Sequence, residues 1–287
     1  MGIGDREQVI RPAAVAGQFY PRQERELRAA IEAAFLSPLG PGAIPALGSG
    51  TRRVLGVVAA HAGYVYSGPA AAWSFAAAAR DGKPEAVVIL GVNHRGAGAA
   101  LAVSPAQAWE TPLGQAPVAN SLRDRLLTLV PDLTTDARAH AAEHSLEVQV
   151  PFIQTVFGDV PIVPIVIGYT SLEALRRLGQ ALAVLAEETE LLIVASSDFS
   201  HYISEETAAR QDRLALERIA AVDPDGLLHI VRQHDITMCG VLPVAAMLIA
   251  ARTAGALTGA ILHYHTSGAV TGDTREVVGY GAAAVSR

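Results

Sequence analysis

One cysteine in 287 residues leaves nothing for it to pair with inside the chain. This excludes a disulfide-stapled secreted scaffold and fits a reducing compartment. Aromatic residues make up only 5%, so Ala and aliphatic side chains must fill the core, which favours helices packed closely on a sheet. Basic residues are outnumbered, 22 Lys and Arg against 28 Asp and Glu for a net charge of −6, and no Lys/Arg run stands out. A nucleic-acid partner or an anionic membrane surface is therefore not expected. Long apolar runs are missing too. The longest, Cys239 to Ala251, contains Pro243 and is too short to span a bilayer. The opening "MGIGDREQVIRP" has charges where a signal peptide is apolar, and Arg6 breaks the myristoylation pattern. The expectation is a soluble, cytoplasmic protein without membrane association.

What is present is a chain that is 51% hydrophobic, enough for a sizeable core. It has no internal repeat. The linker-like "SPLGPGAIPALGSGT" (37–51) follows a helix expected at about 23–35 and lies too near the N-terminus to separate two domains. Residues 1–287 read as a single domain. Buried-type strands are predicted at 53–60, 85–90, 160–168 and 190–196, and two closing strands that could pair antiparallel at 256–267 and 275–285. Helices are predicted at 68–79, with Pro69 in the first turn, at 121–130, and at 145–157, with Pro151 starting late or kinking it. Others fall at 170–188, opened by a capping box of Thr170 and Glu173, at 204–231 and at 240–253. Alternating strands and helices, with strands apolar on both faces, predict an α/β fold: a largely parallel central sheet flanked by helices.

Such sheets bind ligands at the carboxyl ends of their strands. Strand 53–60 is followed by "HAGYVYSG" with His61, strand 85–90 by "GVNHRG" with His94 and Arg95, and strand 190–196 by "SSDFSHY" with Asp198 and His201. The first two strands are joined by one helix, so the sequence suggests that they lie side by side, about 4.8 Å apart, with His61 and His94 able to reach one point. Each loop alone has a plainer reading as turn or helix cap; the coincidence at three strand ends argues for a shared site. "AEHSLEVQVPF" adds Glu143, His144 and Glu147. On a helix the two acids share a face, either towards the pocket or as a solvated helix start. His140, His229 and His234 read as surface residues. His263 and His265 alternate along a strand and face one side, as edge residues or as groups supporting the site. "GQFYP" is placed near the pocket mouth or in a turn with core aromatics. Trp73 and Phe75 read as core, and Trp109 as pocket wall or loop anchor.

Cys239, in "HDITMCGVLPVAAM", precedes Gly240 at a helix N-terminus. Backbone N–H groups there favour thiolate, the form that attacks electrophiles or binds metal. On these residues alone the plainer reading, a small buried hydrophobe, is the favoured one.

Taken together, "RPAAVAGQFYP" (11–21), "HAGYVYSG", "GVNHRG", "ETPLG", "EHSLEVQVPF", "SSDFSHY", "MCG" and "VGYGAA" resemble the Memo family, whose prokaryotic members are also called AmmeMemoRadiSam system protein B. The segments run in family order across nearly the whole chain. The resemblance implies a fold similar to class III extradiol dioxygenases. It also implies a metal site of two histidines and one cysteine, here His61, His94 and Cys239, holding iron or copper. Asp198, His201 and His144 match further pocket residues of the family. The donors suit copper, iron or zinc. A cysteine in place of the oxygenase carboxylate speaks against plain extradiol dioxygenase activity. Arg95 departs from the familiar family version of its segment, and a cation there favours an anionic substrate or peptide carboxylate.

Three functions fit. The first is a metal-dependent redox enzyme with Asp198 and His201 managing protons. The second is a binding protein for a metal, small molecule or peptide, in a modification system with AMMECR1-like and radical-SAM proteins. The third is a zinc-type hydrolase with Asp198 or Glu143 as base.

Overall fold

Unbroken apolar runs form the middle of the sheet. In the computed structural model, which describes residues 9–287, the strands in chain order are β1 (Ile10–Arg11), β2 (Val54–Ala59), β3 (Ala86–Val92), β4 (Leu101–Val103), β5 (Ala108–Thr111) and β6 (Gly114–Pro117), then β7 (Thr134–Thr135), β8 (Ile162–Ile167), β9 (Leu191–Ser196), β10 (His201–Ile203), β11 (Thr258–Thr266) and β12 (Val277–Ser286). The central strands β2, β9, β3 and β8 are parallel in that order. The closing pair is antiparallel, as its sequence suggests: β12 runs against β2 and β11 against β12. On the other side β4 is antiparallel to β8. A small separate sheet has the order β1-β5-β6. The fold is α/β, a central sheet flanked by helices.

The strand order differs from the sequence expectation at the point that matters most. β2 and β3 are not neighbours. β9 lies between them, and Val194 pairs with Val57 on one side and Ile89 on the other. A crossover helix between two strands fixes handedness but does not require adjacency.

Side chains alternate across these strands, so the sheet has two core faces. Val57, Val87, Ile89 and Val194 pack towards α1 (Glu24–Leu36), α2 (Tyr64–Arg80) and α5 (Val150–Phe157). Val58, Val88, Leu90 and Ile193 pack towards α6 (Leu172–Glu188), α7 (Glu205–Ala220) and α9 (Val241–Thr253). The remaining helices are α3 (Asn120–Leu129), α4 (Ala137–Ala141), α8 (Pro224–Gln233) and α10 (Gly268–Thr271).

Helix ends refine the sequence reading. α2 begins at Tyr64, not Gly68, so Pro69 lies inside it. The bond lost there is the one to the carbonyl of Val65, an exposed residue. α6 is capped by Ser171, whose hydroxyl accepts from the Ala174 N–H at 3.1 Å, rather than by Thr170. The predicted helix at 204–231 is divided between α7 and α8, because Val222 takes a positive φ of 51° and Asp223 caps a new helix that starts at Pro224. Pro151 does start α5 late, after a 3₁₀ turn at Glu147–Gln149. Phe75 and Trp109 are fully buried, whereas Trp73 is half-buried with its indole N–H on the Leu39 carbonyl. Among the described residues no helix is long and apolar enough to cross a membrane.

Candidate metal centre

Strand ends deliver the side chains. His61 stands two residues beyond β2, and its main-chain N–H donates to Asp198 Oδ1 at 2.7 Å. Asp198 itself stands two residues beyond β9. His94 stands two residues beyond β3. Cys239 precedes Gly240, the N-cap of α9. A Cβ at Gly240 would lie 2.3 Å from the Ser196 carbonyl oxygen and 2.4 Å from Ser197 Cβ. Glycine is what lets the cysteine segment settle on the end of β9. The result is a cluster in which a ring nitrogen from each of His61 and His94 and the Cys239 sulfur all lie within 4.8 Å of one another. Cys239 Sγ is 3.2 Å from His61 Nε2.

The backing of His94 comes from Glu143. This carboxylate accepts the His94 main-chain N–H at 2.8 Å and Nδ1 at 2.9 Å, and the N–H groups of His144 and Ser145 at 2.9 Å each. Burial would raise its pKa, but the bonds from His94 and Ser145 prevail and hold Glu143 at about 2. Its oxygens already accept four hydrogen bonds, which leaves little lone-pair capacity for a further proton. Glu143 and Glu147 do not share a helical face, and neither is solvated. Both are completely buried in the segment that precedes α5. His144 stacks on His94 with centroids 4.5 Å apart. It also meets His61 edge-on at 5.4 Å and Phe19 of "GQFYP" at 4.4 Å, which places that motif beside the cluster. Burial pushes His144 down to about 4 against the pull of Glu143, and nearby His94 and exposed Arg95 add positive potential.

Burial also dominates the other groups. His61, 2% exposed, is driven well below its ordinary pKa, chiefly by desolvation and then by the neighbouring histidines. Asp198 is raised to about 6 by burial against the bond from His61 N–H. The Cys239 thiol is raised by burial and then by the Asp198 carboxylate. This reverses the expectation from the helix N-terminus: the Asp198 N–H at 3.3 Å favours thiolate, but desolvation outweighs it. His201 lies beside the cluster without joining it. Its Nδ1 is 2.9 Å from the Thr237 carbonyl, and Nε2 has no hydrogen-bond partner among the described residues. Two imidazoles and a thiol converging at the strand ends, with His61 buried, Cys239 half-buried and His94 exposed, and with Nδ1 of each imidazole tied back, are a donor set that fits a transition-metal ion.

The Memo-like protein family model matches residues 11–284. The chain belongs to the Memo family. Two similar curated relatives are a MEMO1 family protein of Methanopyrus kandleri, 44% identical with 95% of this chain and 97% of the relative covered, and one of Thermotoga maritima, 43% identical with 94% and 97% covered. Among solved structures, the uncharacterized protein JW3007 from Escherichia coli K12 matches 80% of this chain and 100% of its own with a TM-score of 0.53. At 18% identity that likeness is one of fold.

Several supporting groups in this Memo-family chain were not singled out in the sequence, although they lie within its quoted segments. Ser145, Gln149 and Ser196 surround His61, and Gly91 lets the 143–147 segment approach β3, since a Cβ there would lie 2.5 Å from Leu146. Glu147 clamps the N-terminal segment: it pairs with Arg11 and accepts from Ala14 N–H, Val15 N–H and the Tyr20 hydroxyl at 2.9, 3.0 and 2.6 Å. His140 is not a surface residue. It is 1% exposed and packs edge-on against Trp109, which in turn lies under the Arg11 guanidinium. His229 and His234 are exposed as expected. His263 and His265 do face one side, 3.1 Å apart, with His263 stacked on Trp73 and His265 bonded to the Tyr66 carbonyl. A cleft of about 470 Å³ lies between α1 and the start of α2. The cluster lies outside it, and Phe19 lines the cleft while packing on His144 beside the cluster.

Proposed function

We propose that this Memo-family protein holds iron or copper on His61, His94 and Cys239 and carries out redox chemistry related to that of oxygenases. The observation that carries the reading is the convergence of those three donor atoms within 4.8 Å of one another. Such a metal, when bound, would supply one-electron chemistry and Lewis acidity. The chain's own residues do the rest. Glu143 orients His94, and Asp198 fixes the main chain of His61. Asp198 and His201 are the groups suited to carry protons beside the site. His144 and Phe19 form an aromatic wall that keeps water from the buried side. Exposed Arg95 next to His94 favours a small-molecule or peptide ligand bearing an anionic group.

The test is metal content by mass spectrometry on protein purified anaerobically without a histidine tag, wild type against Cys239→Ser, followed by oxygen consumption. Near-stoichiometric iron or copper, lost in the variant, together with metal-dependent oxygen turnover supports the proposal. Metal without turnover leaves a binding protein. Stoichiometric zinc redirects it to hydrolysis. No metal after reconstitution overturns it.

A further inference from the structure

We propose that Ser196 and Gln149 are positioning residues: they fix His61 as the Nδ1–H tautomer, with the Nε2 lone pair facing Cys239, and thereby set how tightly the cluster holds a metal. The second part rests on the metal-binding reading above.

The protons around Ser196 Oγ decide the tautomer. The Ser196 hydroxyl has one, and it goes to the Ser145 carbonyl at 2.7 Å, a partner that can only accept. Two further groups meet the same oxygen, Gln149 Nε2 at 2.8 Å and His61 Nδ1 at 2.9 Å. With its proton committed, Ser196 Oγ can only accept from both. Nδ1 of His61 must therefore carry a hydrogen. A neutral imidazole with Nδ1–H has its lone pair on Nε2, and that atom is 3.2 Å from Cys239 Sγ.

The direction of the Gln149 amide is fixed independently. Its nitrogen donates to the Ala60 carbonyl at 3.0 Å as well as to Ser196. Turning the amide over would set its oxygen against that carbonyl. Both N–H groups are thus spent on the ends of β2 and β9, while Gln149 Oε1 is buried with no partner among the described residues. An unpaired buried acceptor is destabilising, and leucine would fill this space without one. What the amide provides in exchange is its pair of donors, held on the strand ends that carry His61 and Ser196. The 3₁₀ turn Glu147–Gln149 aims it there. One short segment thus orients both imidazoles, His94 through the charged Glu143 and His61 through the neutral Ser145–Ser196–Gln149 relay.

The test has two readouts. Nitrogen-15 NMR of the metal-free protein reports the tautomer of His61, assigned by comparison with His61→Ala. Competition of cobalt(II) against a chelator reports affinity. Wild type is expected to show Nδ1–H at His61. Ser196→Ala is expected to mix the tautomers and to weaken cobalt binding about 10- to 100-fold, and Ser196→Thr, which keeps the hydroxyl, to restore both. Gln149→Leu is the second variant: it exchanges one orphaned acceptor, its own Oε1, for another, the Ala60 carbonyl, so it is expected to melt near wild type yet to bind cobalt about 10-fold more weakly. Nε2–H in wild type overturns the proposal, as does undiminished cobalt affinity in folded Ser196→Ala and Gln149→Leu. Wild type that shows Nδ1–H but binds no cobalt, iron or copper overturns the affinity half and the metal reading together, and supports the tautomer half alone.

Discussion

Replacing His140 by leucine should change how stability responds to acid, and the structure sets the size of the effect. His140 is 1% exposed, and neither ring nitrogen has a hydrogen-bond partner among the described residues. Burial, and then the charge of Arg11, lower its pKa from 6.5 to about 4. The folded chain therefore keeps this ring neutral over a range in which the unfolded chain protonates it. Between those two values the unfolded state binds more protons, so stability falls as pH falls from about 6.5 towards 4. From pH 7.5 to 4.5 the loss attributable to this one ring is about 2–3 kcal/mol. His140→Leu removes that contribution. At pH 7.5 the variant also loses the edge contact with Trp109, about 0.5–1.5 kcal/mol, but sheds two unpaired buried nitrogens, so it should be at least as stable as wild type. Urea unfolding at both pH values, analysed as the difference between variant and wild type, isolates His140 from the other titrating groups. Equal losses in the two proteins over that interval would refute the reasoning.

Three further outcomes are expected. Gly240→Ala forces a Cβ to within 2.3 Å of the Ser196 carbonyl; it should cost about 1–3 kcal/mol, seen as a lower melting temperature, and should make Cys239 react faster with a thiol reagent. Glu143→Gln takes away the carboxylate that gathers His94, His144 and Ser145, and should weaken metal binding about 10- to 100-fold in a chelator competition. Because the Glu143 pKa is depressed to about 2 from 4.5, its contribution to stability is present above pH 4.5 and lost as pH falls towards 2; in denaturant titrations the glutamine variant should lack this acid-dependent loss. Glu147→Gln leaves buried Arg11 without its counter-charge, a loss of about 3–5 kcal/mol, and should open residues 12–22 to limited proteolysis.

The long elements were legible because each carries its own signal. The apolar runs that became β2, β3, β8 and β9 are unbroken, and α6 shows an amphipathic period from end to end. The grouping of His61, His94 and Cys239 was legible only through motif resemblance and strand-end position. The sequence argument for it assumed that β2 and β3 touch, and the insertion of β9 shows that the residues meet by another route. Strand order is set by tertiary packing, which no local run records. β4, β5, β6 and β7 escaped notice because two to four residues carry no period. His140 looked like a surface residue because its sequence surroundings are polar and patternless, and nothing local reveals that Arg11, 129 residues away, binds its carbonyl. Gln149 and Ser196 were hidden by their plainness: a glutamine or serine becomes informative only when its hydrogen-bond partners can be counted.

The placement of β9 between β2 and β3 has a consequence for assembly. His61 and Cys239 are separated by 178 residues, and they can meet only after a strand from the second half of the chain has entered a sheet begun by the first. Contacts of such long sequence separation are slow to form. A fragment that ends before Cys239 cannot present the three donors as a set. An ion captured there would act as a reversible clasp on the finished topology, holding distant stretches together without a covalent link. Its occupancy would raise apparent stability by about 4 kcal/mol at a thousandfold excess over the dissociation constant. Resistance to unfolding would then track metal supply, and a chain cut ahead of Cys239 would lose the clasp while keeping both histidines.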